Sequence, residues 1–252
     1  MTSPRYRRVA AAVFSDMFKW SLWFFSILFV IHLVRVFWLN GDTIQIEGFF
    51  VFSQNGDTNQ IEGFFVFSQY SVNIFMLVVG IMSAYVFMSR HIQQGVSRKD
   101  SYLGTALAAL ALSAFATLVP LAVNGLQHLL AETISLPVEL DTVSAFETTG
   151  GWFAAAIALF LNTLTFFLAG WVISIGYYRF GWIAGFGFIA LSFVIFGLND
   201  YLWKPNTADA MEWLPYNPLE ANFWLTALGS SVLILLLFSL MRLLTKRVTI
   251  KM

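Results

Sequence analysis

Residues Trp152 to Tyr177 read WFAAAIALFLNTLTFFLAGWVISIGY, a run of 26 residues with no charged side chain. At 1.5 Å of rise per residue a helix of this run is about 39 Å long, enough to cross the ~30 Å hydrocarbon layer of a bilayer. Five further apolar runs approach or exceed the length a span needs: Met17 to Trp38, Tyr70 to Met88, Tyr102 to Leu126, Trp182 to Leu198 and Phe223 to Leu244. The chain of 252 residues is 58% hydrophobic and only 11% charged, with a mean hydropathy of +0.73. A water-soluble domain carries about 25% charged residues, so lipid is the solvent for much of this surface. The reading is an all-α integral membrane protein of six transmembrane helices. Its 27 Phe, nine Trp and eight Tyr agree, since Trp and Tyr favour the membrane interface.

The charges orient the spans. With the N-terminus inside, the inner segments hold Arg5, Arg7, Arg8, Lys19, Arg90, Arg98, Lys99, Arg179, Arg242, Lys246, Arg247 and Lys251, which is 12 of the 14 basic residues. Only Arg35 and Lys204 fall toward the outside. Lysine and arginine counts set orientation, so both termini are expected in the cytoplasm. Of the acids only Asp16 and Asp100 are inside. The first run is too long for a signal peptide and no small-residue cleavage site follows it, so it stays as an anchor. Before it, Tyr6, Val9, Ala10, Val13 and Met17 recur at helical spacing. That stripe predicts a short amphipathic helix on the inner leaflet, with a plain basic anchor as the alternative.

The inner connections are short, Arg90 to Ser101 and Tyr178 to Gly181, and the outer ones are longer. Asn199 to Asn222 contains Pro205, Pro215 and Pro218 among Trp203, Trp213 and Tyr216, which reads either as an ordered interfacial cap or as an ordinary aromatic-belt loop. Within Leu39 to Gln69 lies a tandem repeat. Asn40 to Gln54 reads NGDTIQIEGFFVFSQ and Asn55 to Gln69 reads NGDTNQIEGFFVFSQ, differing only at Ile44 and Asn59. A shift of 15 residues turns a helix face by about 60° and flips a strand face, so the copies cannot extend one amphipathic element. One copy can lead into span two, the other being an inserted excursion. We read residues 40–69 as a neutral duplication or a sequence artefact in preference to a functional repeat.

Several chemistries are excluded. With no cysteine there are no disulfides, thiolate nucleophiles or cysteine-bound metals. No G-x-x-x-x-G-K-[ST] phosphate loop occurs and no G-x-S-x-G elbow. His32, His91 and His128 lack metal-ligand spacing. The outer acids Glu132, Glu139, Asp141 and Glu147 read as a solvated face. The chain is therefore not expected to be an enzyme, nor to hold a cofactor or metal. Polar groups inside a membrane are functional candidates because burying them is expensive. His32, Asn162, Thr163 and Thr165 are the candidates for lining a path, with interhelical hydrogen bonding as the bland reading. Arg35 is expected to snorkel to the interface. Gly181 and Gly185, with Gly187 beside them, favour close helix packing within the subunit.

The inner segment from Arg90 is more informative: RHIQQGVSRKDSYLG, residues 90–104. Gly95-Val96-Ser97-Arg98-Lys99, running into the third span, resembles the first inner loop of type-2 ABC exporter permeases, the small six-span permeases of peptide and lantibiotic export. The outline resembles theirs over nearly the whole chain: an amphipathic start, six spans, inside termini and a long outer segment before the last span. The duplicated outer segment departs from that pattern. The resemblance implies a permease subunit of an ATP-driven transporter in a cell membrane, bacterial in type, exporting a hydrophobic or amphipathic substrate such as a peptide. It implies a coupling loop of Arg90, His91, Gln93, Gln94, Gly95, Val96, Ser97, Arg98, Lys99 and Asp100 that docks on a cytoplasmic ABC ATPase. It further implies two copies of that ATPase, which bind the ATP and Mg, and a second permease subunit in a homo- or heterodimer. Membrane lipid is the other partner, and no nucleic acid is expected. The alternative is a non-transporting scaffold or sensor that binds a partner through its outer loops.

Overall fold

The computed structural model describes residues 5–38, 61–131, 138–139, 151–203 and 223–246. In hydrocarbon every backbone polar group must be satisfied within its own segment, and helices do that. The described chain is accordingly helical: α1 (Arg5–Trp38), α2 (Phe64–Met82), a π-helical turn (Ser83–Met88), α3 (Ser89–Gln93), α4 (Arg98–Ala131), α5 (Gly151–Trp203) and α6 (Phe223–Lys246). A two-residue parallel bridge, β1 (Ile61–Glu62) with β2 (Val138–Glu139), pairs Ile61 with Val138. Five of the helices are long and apolar enough to cross a membrane. Large apolar side chains stand outside them, among them Trp23, Phe153, Ile183 and Leu235. Exposure on this scale suits a multi-pass protein in lipid and would drive aggregation in water.

The helix α5 departs most from the expected runs. Its 53 residues join the fourth and fifth runs, and Gly181 breaks the helix at φ 83°, ψ −177°. That backbone is open to glycine and strained for any other residue. The two arms, 151–180 and 182–203, fold back on each other. Ser192 Oγ donates to the carbonyl of Ala169 at 3.2 Å, Phe166 stacks on Phe196 at 4.8 Å, and Asn199 Nδ2 donates to Asn162 Oδ1 at 2.7 Å. The second arm turns Gly185, Ser192, Ile195 and Asn199 to the interior, and a Cβ on Gly185 would overlap the Tyr177 ring. The close packing expected of Gly185 is therefore made within the hairpin.

The helices α1 and α4 are both 34 residues long and run parallel. Val9 lies against Gly104, Phe18 against Phe115 and His32 against Gln127. The offsets (104−9, 115−18 and 127−32) stay at 95 to 97 residues, so the register holds over about 35 Å. Each helix is about 51 Å long, roughly 20 Å more than the hydrocarbon layer. The end holding Arg7, Arg8, Arg90, Arg98 and Lys99 is here termed the basic end. The apolar stripe of the first residues is buried there, Val13 and Met17 completely. It belongs to one continuous α1 and packs on α4, where a separate helix on the inner leaflet was anticipated. Helical spacing shows that one face is buried, and it cannot tell a lipid surface from a neighbouring helix.

The helix α2 runs parallel to the first arm of α5. A Cβ on Gly80 would overlap the Phe167 carbonyl, and one on Gly170 the Leu77 carbonyl. Farther along in the same sense, the rings of Tyr85 and Tyr178 meet at 5.9 Å. Close approach through small residues is the usual packing of membrane helices. The core beside this crossing holds Trp171, Phe87 and Phe167, all buried.

The second repeat copy supplies the start of α2, which begins at Phe64 and not at Tyr70 as expected. Its Phe64 and Phe65 are fully buried and Phe67 nearly so. The first copy, residues 40–54, lies outside the described residues, as do 204–222 with their prolines. Deleting 40–54 shortens the link between Trp38 and Ile61 from 22 residues (39–60) to seven, which still reach about 25 Å. His32 and Phe64 are in ring contact at 5.2 Å. Only about 9 Å of helix and about 10 Å of extended chain separate Trp38 and Ile61 from that contact. The deletion should leave the melting temperature in detergent within about 2 °C of the parent, since the cost of closing a connection depends only weakly on its length.

Candidate functional site

At the basic end a tight turn joins α3 to α4. Gly95 adopts φ 76°, the left-handed backbone that ends helices at little cost to glycine. The Val96 N–H donates to the His91 carbonyl at 3.0 Å, closing a Schellman motif, and Val96 packs on the core. Ser97 caps the next helix. Its Oγ accepts from the Asp100 N–H at 3.1 Å and donates to Asp100 Oδ2 at 2.7 Å, a variant of the capping box. A helix stop and a helix start are thus compressed into four residues, and the sequence GVSRKD specifies both.

The turn splits the anticipated loop residues into two groups. Gln93, Gln94, Gly95, Ser97, Arg98 and Lys99 are exposed. His91 is buried and its Nδ1 donates to the Phe87 carbonyl at 2.6 Å, so its ring is turned inward beside the turn. Asp100 is committed to the cap. Arg90 is exposed and pairs with Asp16 of α1 at 3.3 Å. An ion pair this open to solvent contributes at most about 1 kcal/mol, and its use is to locate α3 beside α1. Directly before α3 lies the π-helical turn, where Ser83 Oγ donates to the Gly80 carbonyl at 2.6 Å. Such wide turns are enriched at functional sites.

Two further contacts tie the basic end together. Arg179, two residues before the α5 break, donates to the Leu244 carbonyl in the last turn of α6 at 3.1 Å, where a cation also opposes the helix dipole. Tyr102 donates to the Phe238 carbonyl at 2.9 Å and lies 5.7 Å from the stacked Trp171 ring. The turn at 94–97 is thereby fixed on the α4–α5–α6 face as well as on α1.

The candidate path residues do not converge. His32 is at the opposite end, buried between α1, α2 and α4. Gln127 Oε1 accepts the Phe64 N–H at 3.0 Å, and its amide nitrogen is 2.8 Å from His32 Nε2. The backbone donor fixes the amide orientation, so His32 Nε2 accepts and the ring proton sits on Nδ1. Arg35 lies 5.0 Å over the Phe67 ring and is half-buried. Thr163 and Thr165 donate to carbonyls of their own helix, Phe160 and Leu161. Asn162, like His32, bonds across helices, accepting from Asn199 of the second arm of α5.

Sequence reading passed over Gln127, Asn73 and Asn199. Gln127 satisfies an otherwise orphaned donor at the start of α2 and links three helices. Gln127→Ala should lower stability by about 1–3 kcal/mol through the unpaired Phe64 N–H and His32, read as a lower melting temperature in detergent, whereas Gln127→Glu, which keeps the acceptor, should lose less. The sequence places Asn199 in the connection that follows because the fifth apolar run stops at Leu198. Its signal is the stripe Gly185, Ser192, Ile195, Asn199 at heptad-like spacing, small or polar except at Ile195.

No family model, curated protein or solved structure matches this chain.

Proposed function

We propose that the chain is the membrane permease subunit of an ATP-driven exporter, crossing a cell membrane six times with both termini in the cytoplasm. The doubled-back α5 supplies the fourth and fifth crossings. The proposed motor is a separate ABC-type ATPase, two copies of which bind ATP and Mg against two permease subunits. The substrate class is hydrophobic or amphipathic, of peptide type.

The observation that carries this reading is the 94–99 turn. It is exposed, basic, doubly capped and joined without slack to α2 on one side and α4 on the other. A push on it reaches two crossings directly, and Arg98 and Lys99 offer charge to an acidic partner surface. The chain itself has no phosphate loop, which fits a motor on another polypeptide.

Co-purification with candidate ATPases, followed by ATP turnover, tests the proposal. The parent chain should retain an ATPase and stimulate it. Replacing Val96 to Lys99 with Ala-Ser-Ala-Ala, which keeps a hydroxyl at the capping position, should reduce that turnover about tenfold or more, the loss expected when about 1.4 kcal/mol of contact is removed. If no ATPase associates, or the replaced turn supports unchanged turnover, the reading fails and a scaffold or sensor role takes its place.

A further inference from the structure

The parallel packing of α2 on the first arm of α5 brings polar side chains to one level. Asn73 and Thr163 each stand seven residues before a crossing glycine (80−73 and 170−163), two helical turns along parallel helices and on the glycine face. Asn162 is the next residue round the first arm and bonds Asn199 of the second arm at 2.7 Å. All four are buried, at 5%, 0%, 7% and 1% exposure for Asn73, Thr163, Asn162 and Asn199. Oδ1 of Asn73 and Oδ1 of Asn199 have no hydrogen-bond partner among the described residues.

An orphaned amide oxygen in a membrane core is costly, and a bundle held only by packing has no use for one. Here one orphaned acceptor lies on the bonded Asn199 itself and the other on Asn73 of α2. Neutral carbonyl oxygens suit an N–H donor, whereas a bare cation would lack a countercharge, and none of the four side chains is acidic. The stacked Phe166 and Phe196 rings, one turn from Asn162 and Asn199, provide an apolar wall. We propose that Asn73, Asn162, Thr163 and Asn199 form an intramembrane binding site for an uncharged N–H-donating group, the backbone amide of an apolar peptide. Access is through the second arm of α5. Trp182, Ile183, Phe186 and Phe193 on its outer side are more than half exposed, and the arm meets Gly181 at a backbone with no Cβ neighbour to hinder rotation. Moving it breaks the Asn162–Asn199 bond and frees both amides for a ligand.

This deepens the export reading by naming a substrate contact. It is tested without an ATPase, on the full chain in lipid nanodiscs. The probe is an apolar tripeptide amide carrying a diazirine, compared with the isosteric depsipeptide in which ester oxygens replace the N–H groups. The amide probe should crosslink to α2 and α5 peptides near residues 73, 162 and 199. The depsipeptide should label them about tenfold less, as for one lost hydrogen bond. Asn73→Leu, which leaves the Asn162–Asn199 bond intact, should abolish the preference for the amide without lowering the melting temperature. Asn199→Leu should also abolish that preference, with a lower melting temperature because it removes the Asn162–Asn199 bond; if that variant does not fold, Asn73→Leu decides. Equal labelling by the two probes, labelling confined to outward-facing residues, or an unchanged preference in Asn73→Leu overturns the site. Loss of the site with ATPase recruitment intact leaves the exporter reading standing. Labelling that persists in a chain recruiting no ATPase overturns the motor and keeps the site.

Discussion

Leucine at Gly80 is expected to abolish the folded bundle, and alanine there to cost about 3 kcal/mol, the upper range for overpacking. The atom that a Cβ would strike is the Phe167 carbonyl oxygen, with the Trp171 nitrogen at 3.1 Å behind it. Neither can rotate away as a side chain end could. The helices must part, and parting them uncovers Phe167 and Trp171, which are among the most deeply buried residues in the protein. The reciprocal glycine makes the test internal: Gly170 meets the Leu77 carbonyl in the same way, so Gly170→Ala should cost a similar amount. Because the two contacts share one crossing, the double variant should lose less than the sum. Glycines with open space, such as Gly125 and Gly187, provide controls: alanine there should leave the melting temperature unchanged or raise it. Thermal unfolding in detergent checks the whole set.

The second large effect is expected at Gly181, for a different physical reason. A Cβ there meets nothing, so alanine is penalised by its backbone alone. The φ 83°, ψ −177° conformation is essentially confined to glycine, and another residue held in it costs about 1–3 kcal/mol. Gly181→Ala should therefore favour arms that no longer fold back, weakening the Ser192–Ala169 and Asn199–Asn162 contacts together. Two cysteines in this cysteine-free chain provide a direct readout. A crosslinker joining Phe166→Cys to Phe196→Cys, whose rings are stacked at 4.8 Å in the parent, should act efficiently in the Gly181 background and about tenfold less in Gly181→Ala, as follows from a shift of about 1.4 kcal/mol. Equal crosslinking in both backgrounds would show that the hairpin does not depend on this glycine.

The helices were legible wherever hydropathy alone determines structure, because hydrocarbon admits few alternatives to a helix. Trp152 to Tyr177 and Phe223 to Leu244 became helices close to their expected bounds. Boundaries failed where the deciding contact comes from a distant segment. The start of α2 could not be read from FFVFSQ, which occurs twice. What selects Phe64 is adjacency to Tyr70 in the chain and Gln127, 63 residues away, which caps it. The α1 stripe had the correct period, but its partner is Gly104. Of the candidate loop residues, the exposed ones were recognisable from the Gly-x-Ser pattern of a helix stop and start. The inward turn of His91 depends on its bond to Phe87, one helical turn back, and composition does not report it. The asparagines at 73 and 199 were hidden for another reason: each is a single polar residue at the edge of an apolar window, and only the level shared by three helices groups them.

The placement of the second repeat copy has a genetic consequence. Tandem units this alike are prone to slip during replication, gaining or losing whole copies in frame. In this chain the unit next to Tyr70 always supplies Gly63 to Gln69, whichever copy is lost, so the capped start of α2 is inherited unchanged. The slippage alters only the length of the segment between Trp38 and Ile61. The link between Trp38 and Ile61 can thus vary in length from one generation to the next while the bundle keeps a fixed frame.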